Sequence, residues 1–451
     1  MRSRRVTVLA LCISVLLTAG CSDSGGNGDP QAEDTPPEAE ETPQETLFGT
    51  ADLEQIVLPE AEGPEGLELD PNTSGPASLF GYVPDEARTT VAQDNGFQLG
   101  YANEWIARPP TATAPPKPTG EFKATRFISD AGIFESSEGA SVALAFFKEN
   151  GNPAAADRTS KDVSELGEEA YTSKTTFEDP GQPPIYNFAY QWRVHNALGL
   201  MIVTSPKDTT EGGPTEEQML AKAQELAGLM EETEPTGEAM DLPPEPTPGE
   251  VLFEDDFSDE KSGWTTGTFP GEPPGSATEY ADGGLRMTID KENGGGRFND
   301  TGEIGKKTAD LTDTIVQVDV ENVGGQDEAG WGLVCREQKN ETFYAFIVLG
   351  NGQIHVVKAL VPGEPFAFFM STSTSDEIAQ TLSEPHTLRA DCVGDVITRL
   401  SLYLNDVKVA EGFDDDPFPS GAAGLWSESA PGVGAEIQFD NFSVTEAALA
   451  E

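Results

Sequence analysis

Tyr344-Ala345-Phe346-Ile347-Val348-Leu349, then Gly350-Asn351-Gly352, then Ile354-His355-Val356-Val357-Lys358, is the stretch that decides the C-terminal half. Two short runs rich in β-branched and aromatic residues flank a Gly-Asn-Gly turn, which is the pattern of a β-hairpin. Neither run has a helical period. The pattern repeats on both sides. Residues 315–320, 401–404 and 435–444 are β-prone, and Asn405-Asp406 stands where another hairpin turn belongs. Turn signals recur roughly every ten residues, as in all-β sandwiches. About eleven short strands are expected, which argues a two-sheet antiparallel sandwich over residues 250–446.

Upstream the pattern changes. Residues 51–232 read as an α+β domain, an antiparallel sheet with helices on one face. Thr215 with Gln218 forms a capping box, and Met219, Ala223, Leu226 and Met230 follow at helical spacing. A second helix begins after Ser136-Ser137 and carries Ala140, Leu144 and Phe147. Tyr186, Phe188, Tyr190, Trp192 and Val194 alternate as a half-buried strand does; His195-Asn196 turns the chain, and Leu200-Met201-Ile202-Val203 returns. The Pro-rich residues 108–118 read as an exposed loop. Residues 233–249 alternate Pro with acids and lack Lys and Arg, so a semi-rigid spacer is expected, leaving the two domains free in orientation. Residues 21–50 are acidic and Pro-rich without a basic residue, the composition of a disordered tether.

At the N-terminus, Arg2, Arg4 and Arg5 precede an apolar run that ends in Leu16-Leu17-Thr18-Ala19-Gly20-Cys21. This reads as a secretory signal peptide over residues 1–20. Ala19-Gly20 before Cys21 resembles the lipobox of bacterial lipoproteins. The resemblance implies cleavage before Cys21, a lipid on that cysteine and a place on the extracytoplasmic face of the cell membrane. An uncleaved signal anchor is the alternative, although the run is short for a span. Cys12 is then lost with the signal and Cys21 is lipidated. Cys335 and Cys392 remain, an even pair in an oxidising compartment, for which a disulfide is expected. With a formal charge of −52, the chain repels nucleic acid and anionic phospholipid.

Reactive constellations are sparse. There is no CxxC, HExxH, Gly-x-Ser-x-Gly or P-loop, and the three histidines, His195, His355 and His386, are widely spaced and read as turn or sheet-surface residues. The Asp414-Asp415-Asp416 run, or Asp255 and Asp256 with Asp259, could supply oxygens to a structural Ca²⁺; solvated loops are the plainer reading. No cofactor is otherwise implied. Glu436 and Asp440 are four apart and fall on one face of a strand, the nearest approach to a hydrolytic carboxylate pair. Sugars stack on aromatic faces, so Trp331, Tyr344 and Trp426, with Arg336 as a polar contact, are candidate ligand-binding residues, with Trp264 also available. Sandwich core is the alternative for them. Phe366, Phe368 and Phe369 within 365–370 form either a strand or an exposed patch.

Two family resemblances add to this. Gly96-Phe97-Gln98-Leu99-Gly100-Tyr101, Leu166-Gly167-Glu168-Glu169-Ala170-Tyr171 and Tyr190-Gln191-Trp192-Arg193-Val194 resemble a domain of actinobacterial lipoproteins, similar to extracytoplasmic sensor domains of some envelope kinases. That resemblance implies ligand or protein binding. Phe253-Glu254-Asp255-Asp256-Phe257-Ser258-Asp259 with Gly263-Trp264, Gly332-Leu333-Val334-Cys335-Arg336, Leu402-Tyr403-Leu404-Asn405-Asp406 and Phe439-Asp440-Asn441-Phe442 resemble the concanavalin A-like lectin/glucanase superfamily. It implies a jelly roll whose opening and closing strands adjoin. That fold carries lectins, hydrolases and inert modules alike. The expectation is a non-catalytic envelope lipoprotein that binds a glycan or envelope polymer through its sandwich. The alternatives are a glycoside hydrolase and a scaffold holding an envelope protein partner.

Overall fold

The computed structural model describes residues 46–449, apart from 71–72, 79–85, 108–121, 151–156, 178–183, 269–275, 291–294, 300–311, 326–327, 339–341, 360–366, 372–374 and 431. Residues 1–20, expected to be a signal peptide, Cys21, most of the expected tether and the Pro-rich 108–118 lie outside these residues. Thr46–Glu451 is one compact unit.

Its first part contains β1 (Glu68–Leu69), β2 (Gly75–Ala77), α1 (Glu86–Asp94), β3 (Phe97–Ile106), β4 (Arg126–Phe134), α2 (Ser137–Glu149), β5 (Asp157–Asp162), β6 (Glu169–Phe177), β7 (Ile185–Val194), β8 (Ala197–Ser205) and α3 (Glu216–Glu232). The strands form one antiparallel sheet in the order β1-β3-β4-β8-β7-β6-β5, with β2 also on β3. Both predicted helices form where their caps place them. Ser136 Oγ accepts from Gly139 N–H at the start of α2. Thr215 and Gln218 cap α3 reciprocally, at 3.0 and 3.1 Å. The β7–β8 hairpin turns at His195, whose φ is 53°.

The helices do not share a face. Phe188, Tyr190 and Trp192 of β7 and Ala197, Met201 and Val203 of β8 pack with Met219, Ala223, Leu226 and Met230 of α3. Leu198 and Tyr171 point to the opposite side and pack with Ala140, Leu144 and Phe147 of α2. Side chains alternate across a strand, so the sheet buries both faces. The expectation of helices on one face is corrected accordingly.

The folded body also starts earlier than expected. Phe48 is buried, and its backbone N–H and C=O are both taken by the Asn196 side chain, at 2.8 and 2.9 Å. Asp52 is fully buried and accepts from Gly49 N, Thr236 N and Thr236 Oγ.

The second part contains β9 (Thr247–Asp255), β10 (Ala277–Ala281), β11 (Gly284–Ile289), β12 (Gly295–Asn299), β13 (Thr314–Gly325), β14 (Ala329–Glu337), β15 (Phe343–Leu349), β16 (Ile354–Ala359), β17 (Ala367–Ser371), α4 (Asp376–Leu382), β18 (His386–Val393), β19 (Thr398–Leu404), β20 (Val407–Asp414), β21 (Ala422–Ser429) and β22 (Ala435–Ala448). Fourteen strands stand here among the described residues, more than the expected eleven, together with a short helix that the sequence reading missed. They make an eight-stranded sheet, β10-β11-β22-β13-β18-β19-β20 with β9 on β22, and a six-stranded sheet, β12-β21-β14-β15-β16-β17. All pairings are antiparallel. The opening strand β9 pairs with the closing strand β22, as expected of a jelly roll. The β19–β20 turn has Asn405 and Asp406 at φ 49° and 64°, the two left-handed residues of a type I′ hairpin. Residues 367–371, where two of the three predicted phenylalanines lie, form a strand.

The core lies between the two sheets and is stapled by a Cys335–Cys392 disulfide from β14 to β18. Closing a loop of 57 residues stabilises by about 4 kcal/mol in the chain-entropy model.

Residues 233–246 contain no helix or strand, yet they are fastened to both parts. Met240 and Leu242 pack on the first core. Arg399 Nε donates to Pro243 O at 2.8 Å, and Glu245 pairs with Lys408. Burial alone would lower Lys408; its hydrogen bonds to Glu245 and Glu411 raise it above the usual lysine value instead. Phe413 of β20 reaches into the first core. Free orientation of the two parts is therefore not what these contacts describe. Proline-rich backbone supplies few hydrogen bonds of its own, and here side chains from both neighbours supply them.

Candidate functional site

Three of the four aromatic and arginine candidates, Trp331, Tyr344 and Arg336, are drawn inward. Trp331 is fully buried between the sheets, and its indole N–H donates to His386 Nε2 at 3.1 Å. His386 in turn donates from Nδ1 to Glu384 O. Burial lowers its pKa, in keeping with a neutral ring. His386 is thus interior, not a sheet-surface residue.

Tyr344 is also fully buried. Its hydroxyl donates to Asp414 and accepts from Phe418 N at 2.9 Å, and burial followed by Asp414 raises its pKa. Lys358 completes the group, 2.9 Å from Asp414. Arg336, 1% exposed, donates to Thr312 O, Phe418 O, Gly394 O and Thr398 Oγ. It ties loop carbonyls together at one end of the sandwich, and a buried carbonyl without a donor is costly. These three residues hold the fold and offer no stacking surface. That corrects their candidacy, and its cause is the packing demand of a two-sheet core. Trp264, buried against Phe257 and Phe442, donates to Asp255 at 2.8 Å and is core too.

Trp426 differs. It lies on the outer face of the six-stranded sheet, in a cluster with Val334, Phe343, Ala345, Ile347 and Val357. Its ring packs over Gly296, where a Cβ would meet the indole at 2.3 Å. Its N–H donates at 2.9 Å to Glu428, two residues on and on the same face. Glu428 and Leu349 converge over Gly330, each 2.8 Å from where a Cβ would stand. His355 of β16 follows beside Ile347, which it pairs with in register. Glu428, Leu349 and His355 are partly exposed, while the apolar cluster behind them is buried.

Burial raises Glu428 above the usual glutamate value, with the indole bond opposing, and burial lowers His355. Both shifts favour the uncharged form. Perturbed groups at a partly covered face mark a candidate site, and these two stand on β21 and β16 with β14 and β15 between them. Of the carboxylates on the described strands of this face, Glu337 pairs with Ala422, six residues along β21 from Glu428, about 20 Å away, whereas hydrolysis of a glycosidic bond ordinarily takes two within about 10 Å. The sequence reading missed Glu428 and set His355 aside. Period-two spacing from Trp426 was the signal for the first.

The other candidates do not assemble. Glu436 faces outward from the eight-stranded sheet and pairs with Arg286 at 3.3 Å. Asp440 accepts from Asn441 N in the same strand. A cavity of about 400 Å³ lies beside Glu254, Asp255, Asp256 and Asn441, and neither Glu436 nor Asp440 lines it. Asp255 is committed to Trp264 and Phe257 N, and Asp256 to Ser258 N. Among the described residues no group of three or more His, Cys, Asp or Glu is placed to hold a metal ion.

No family model and no curated protein matches the chain. Among solved structures it is similar to the carbohydrate-binding module CBM66 of Bacillus subtilis, at 18% identity and a TM-score of 0.30, over 41% of this chain and 96% of that one. It is also similar to a β-glucanase of Bacillus licheniformis, at 10% identity and a TM-score of 0.31, over 43% and 97%. A family 16 endo-glucanase of Bacteroides ovatus matches at 10% identity and a TM-score of 0.31, over 43% and 100%. What those proteins bind or cleave is theirs; the sandwich assignment rests on the two sheets described above.

Proposed function

We propose that this chain is a non-catalytic lipoprotein of the cell envelope, held by lipid on Cys21, that binds a glycan on the outer face of its six-stranded sheet. The observation that carries the binding reading is the Glu428–Gly330–Leu349 row with His355 beside it and Trp426 behind. It joins two hydrogen-bonding groups that favour their neutral forms to an apolar strip, the combination that fits the hydroxyls and C–H faces of a sugar. The wide separation of Glu428 and Glu337 along the face favours binding over cleavage. The anchor rests on the residues up to Cys21 and on the acidic stretch after it.

The test is retention of the mature chain on insoluble cell-wall polysaccharide, with Glu428→Ala and His355→Ala as variants. Loss of one neutral hydrogen bond predicts several-fold to about tenfold weaker retention for Glu428→Ala. No retention of the wild type, or retention indifferent to both substitutions, overturns the binding reading. Release of reducing sugar by the wild type overturns its non-catalytic part. Recovery of a stoichiometric protein partner without glycan favours a scaffold. In cells, Cys21→Ala should move the chain to the soluble fraction, and persistence at the membrane overturns the anchor.

A further inference from the structure

The sheet of the first part is wider than the helix that covers it. α3 packs on β7 and β8, and β6 and β5 continue beyond. Two register rows cross this uncovered end. Lys161, Thr172 and Tyr190 form one; Thr159, Lys174 and Phe188 form the other. With Glu216 and Met219 from the first turn of α3 they line a cavity of about 160 Å³.

Phe188, Tyr190 and Met219 are buried and give it an apolar floor. Its charges are paired. Lys161 Nζ lies 2.8 Å from Glu216, and Lys174 Nζ lies 2.6 Å from Asp208. The hydrogen bond to Lys174 holds the Asp208 carboxyl below the usual aspartate value, and the bond to Glu216 raises Lys161. Thr172 spends its hydroxyl proton on Ala189 O. An anion would have to displace two carboxylates already in place and approach a chain of charge −52. A neutral ligand meets no such barrier. The volume equals about five waters' share of the liquid, which is the scale of one sugar ring.

We infer that this cavity is a second binding site, for a neutral polyhydroxylated ligand such as a single sugar unit. Its apolar floor takes the C–H face of the ring, and the Lys161–Glu216 pair and Lys174 at the rim take its hydroxyls. The inference is independent of the site on the sandwich. If both sites engage one polymer, retention gains from effective concentration and not from new contacts.

The experiment is saturation-transfer NMR and calorimetric titration of the mature chain with glucose, galactose, arabinose and N-acetylglucosamine, with inorganic phosphate as charged competitor. Thr159 is exposed on the edge strand β5, so Thr159→Trp plugs the cavity from outside with little risk to folding. At least one sugar should bind the wild type, and Thr159→Trp should weaken it at least about tenfold while the thermal midpoint holds. Lys174→Gln should weaken it several-fold. Binding by none of the sugars, binding that survives Thr159→Trp, or displacement of the sugar by phosphate overturns the proposal. A sugar lost on Glu428→Ala but kept by Thr159→Trp belongs to the sandwich, which also overturns it.

Discussion

The sandwich has two outer faces, and they are built on different rules. Along β13, Val316, Val318 and Val320 point into the core, and Gln317, Asp319 and Glu321 point out. The outer face there carries hydrogen-bonded polar groups, Arg286 with Gln438, Thr387 with Asp319 and Arg389 with Asp391. Along β14 and β15 the alternation is gone. Trp331, Leu333, Tyr344, Phe346 and Val348 point in, yet Val334, Ala345 and Ile347 on the other side are equally buried. A sheet solvated on one face writes alternation into its sequence; a sheet buried on both faces writes a continuous apolar run. The candidate site lies where that buried outer face ends and Glu428 and His355 come into view.

Three measurements would break or sharpen this contrast. The largest effect belongs to what joins the two sheets. Replacing Cys335 and Cys392 together with Ala should cost about 4 kcal/mol in denaturant unfolding, and a loss under 1 kcal/mol would mean the sheets hold without the staple. Next comes a paired comparison of the faces. Ile347→Ala, on the outer face of the six-stranded sheet, should cost about 2–5 kcal/mol as a core truncation does. Glu321→Thr, on the outer face of the eight-stranded sheet, should stay within about 0.5 kcal/mol. Equal costs would erase the distinction.

The smallest effect is a slope. Burial raises Glu428 above its ordinary 4.5, so the folded state holds this proton to higher pH than the unfolded chain does. The stability from this group is therefore fullest in acid and falls as pH rises from 4.5 through the raised value. Glu428→Gln should melt higher than wild type at neutral pH, with the gain vanishing in acid. A gain that grows in acid instead would reverse the assigned shift.

Much of this fold was legible where local rules act. The capping box at Thr215 and Gln218, the Asn405-Asp406 turn and the Cys335–Cys392 pair are short-range or compositional signals, and each is found in place. What escaped depends on distant partners. Asn196 clamps Phe48 across 148 residues, and Asp52 clamps Thr236 across 184. Neither polar residue announces a burial. α4 spans seven residues, too short for a periodic stripe to stand out. The site was half legible. Trp426 was singled out as one of four equivalent aromatic or arginine candidates, because composition does not tell which face of a strand looks inward. The packing separated Trp426, with its indole on Glu428, from Trp331 and Tyr344, whose polar atoms are spent inside the core.

The bond between Cys335 and Cys392 also governs how the sandwich meets proteases. β15, β16, β17, α4 and most of β18 lie on the loop between the two cysteines. One cut on that loop leaves both products on a single covalent thread, while a cut before Cys335 or after Cys392 frees an end. On a non-reducing gel the first kind of damage is silent, and only a thiol reveals it. The β15–β16 hairpin lies in the part of the sandwich where a single break sheds nothing.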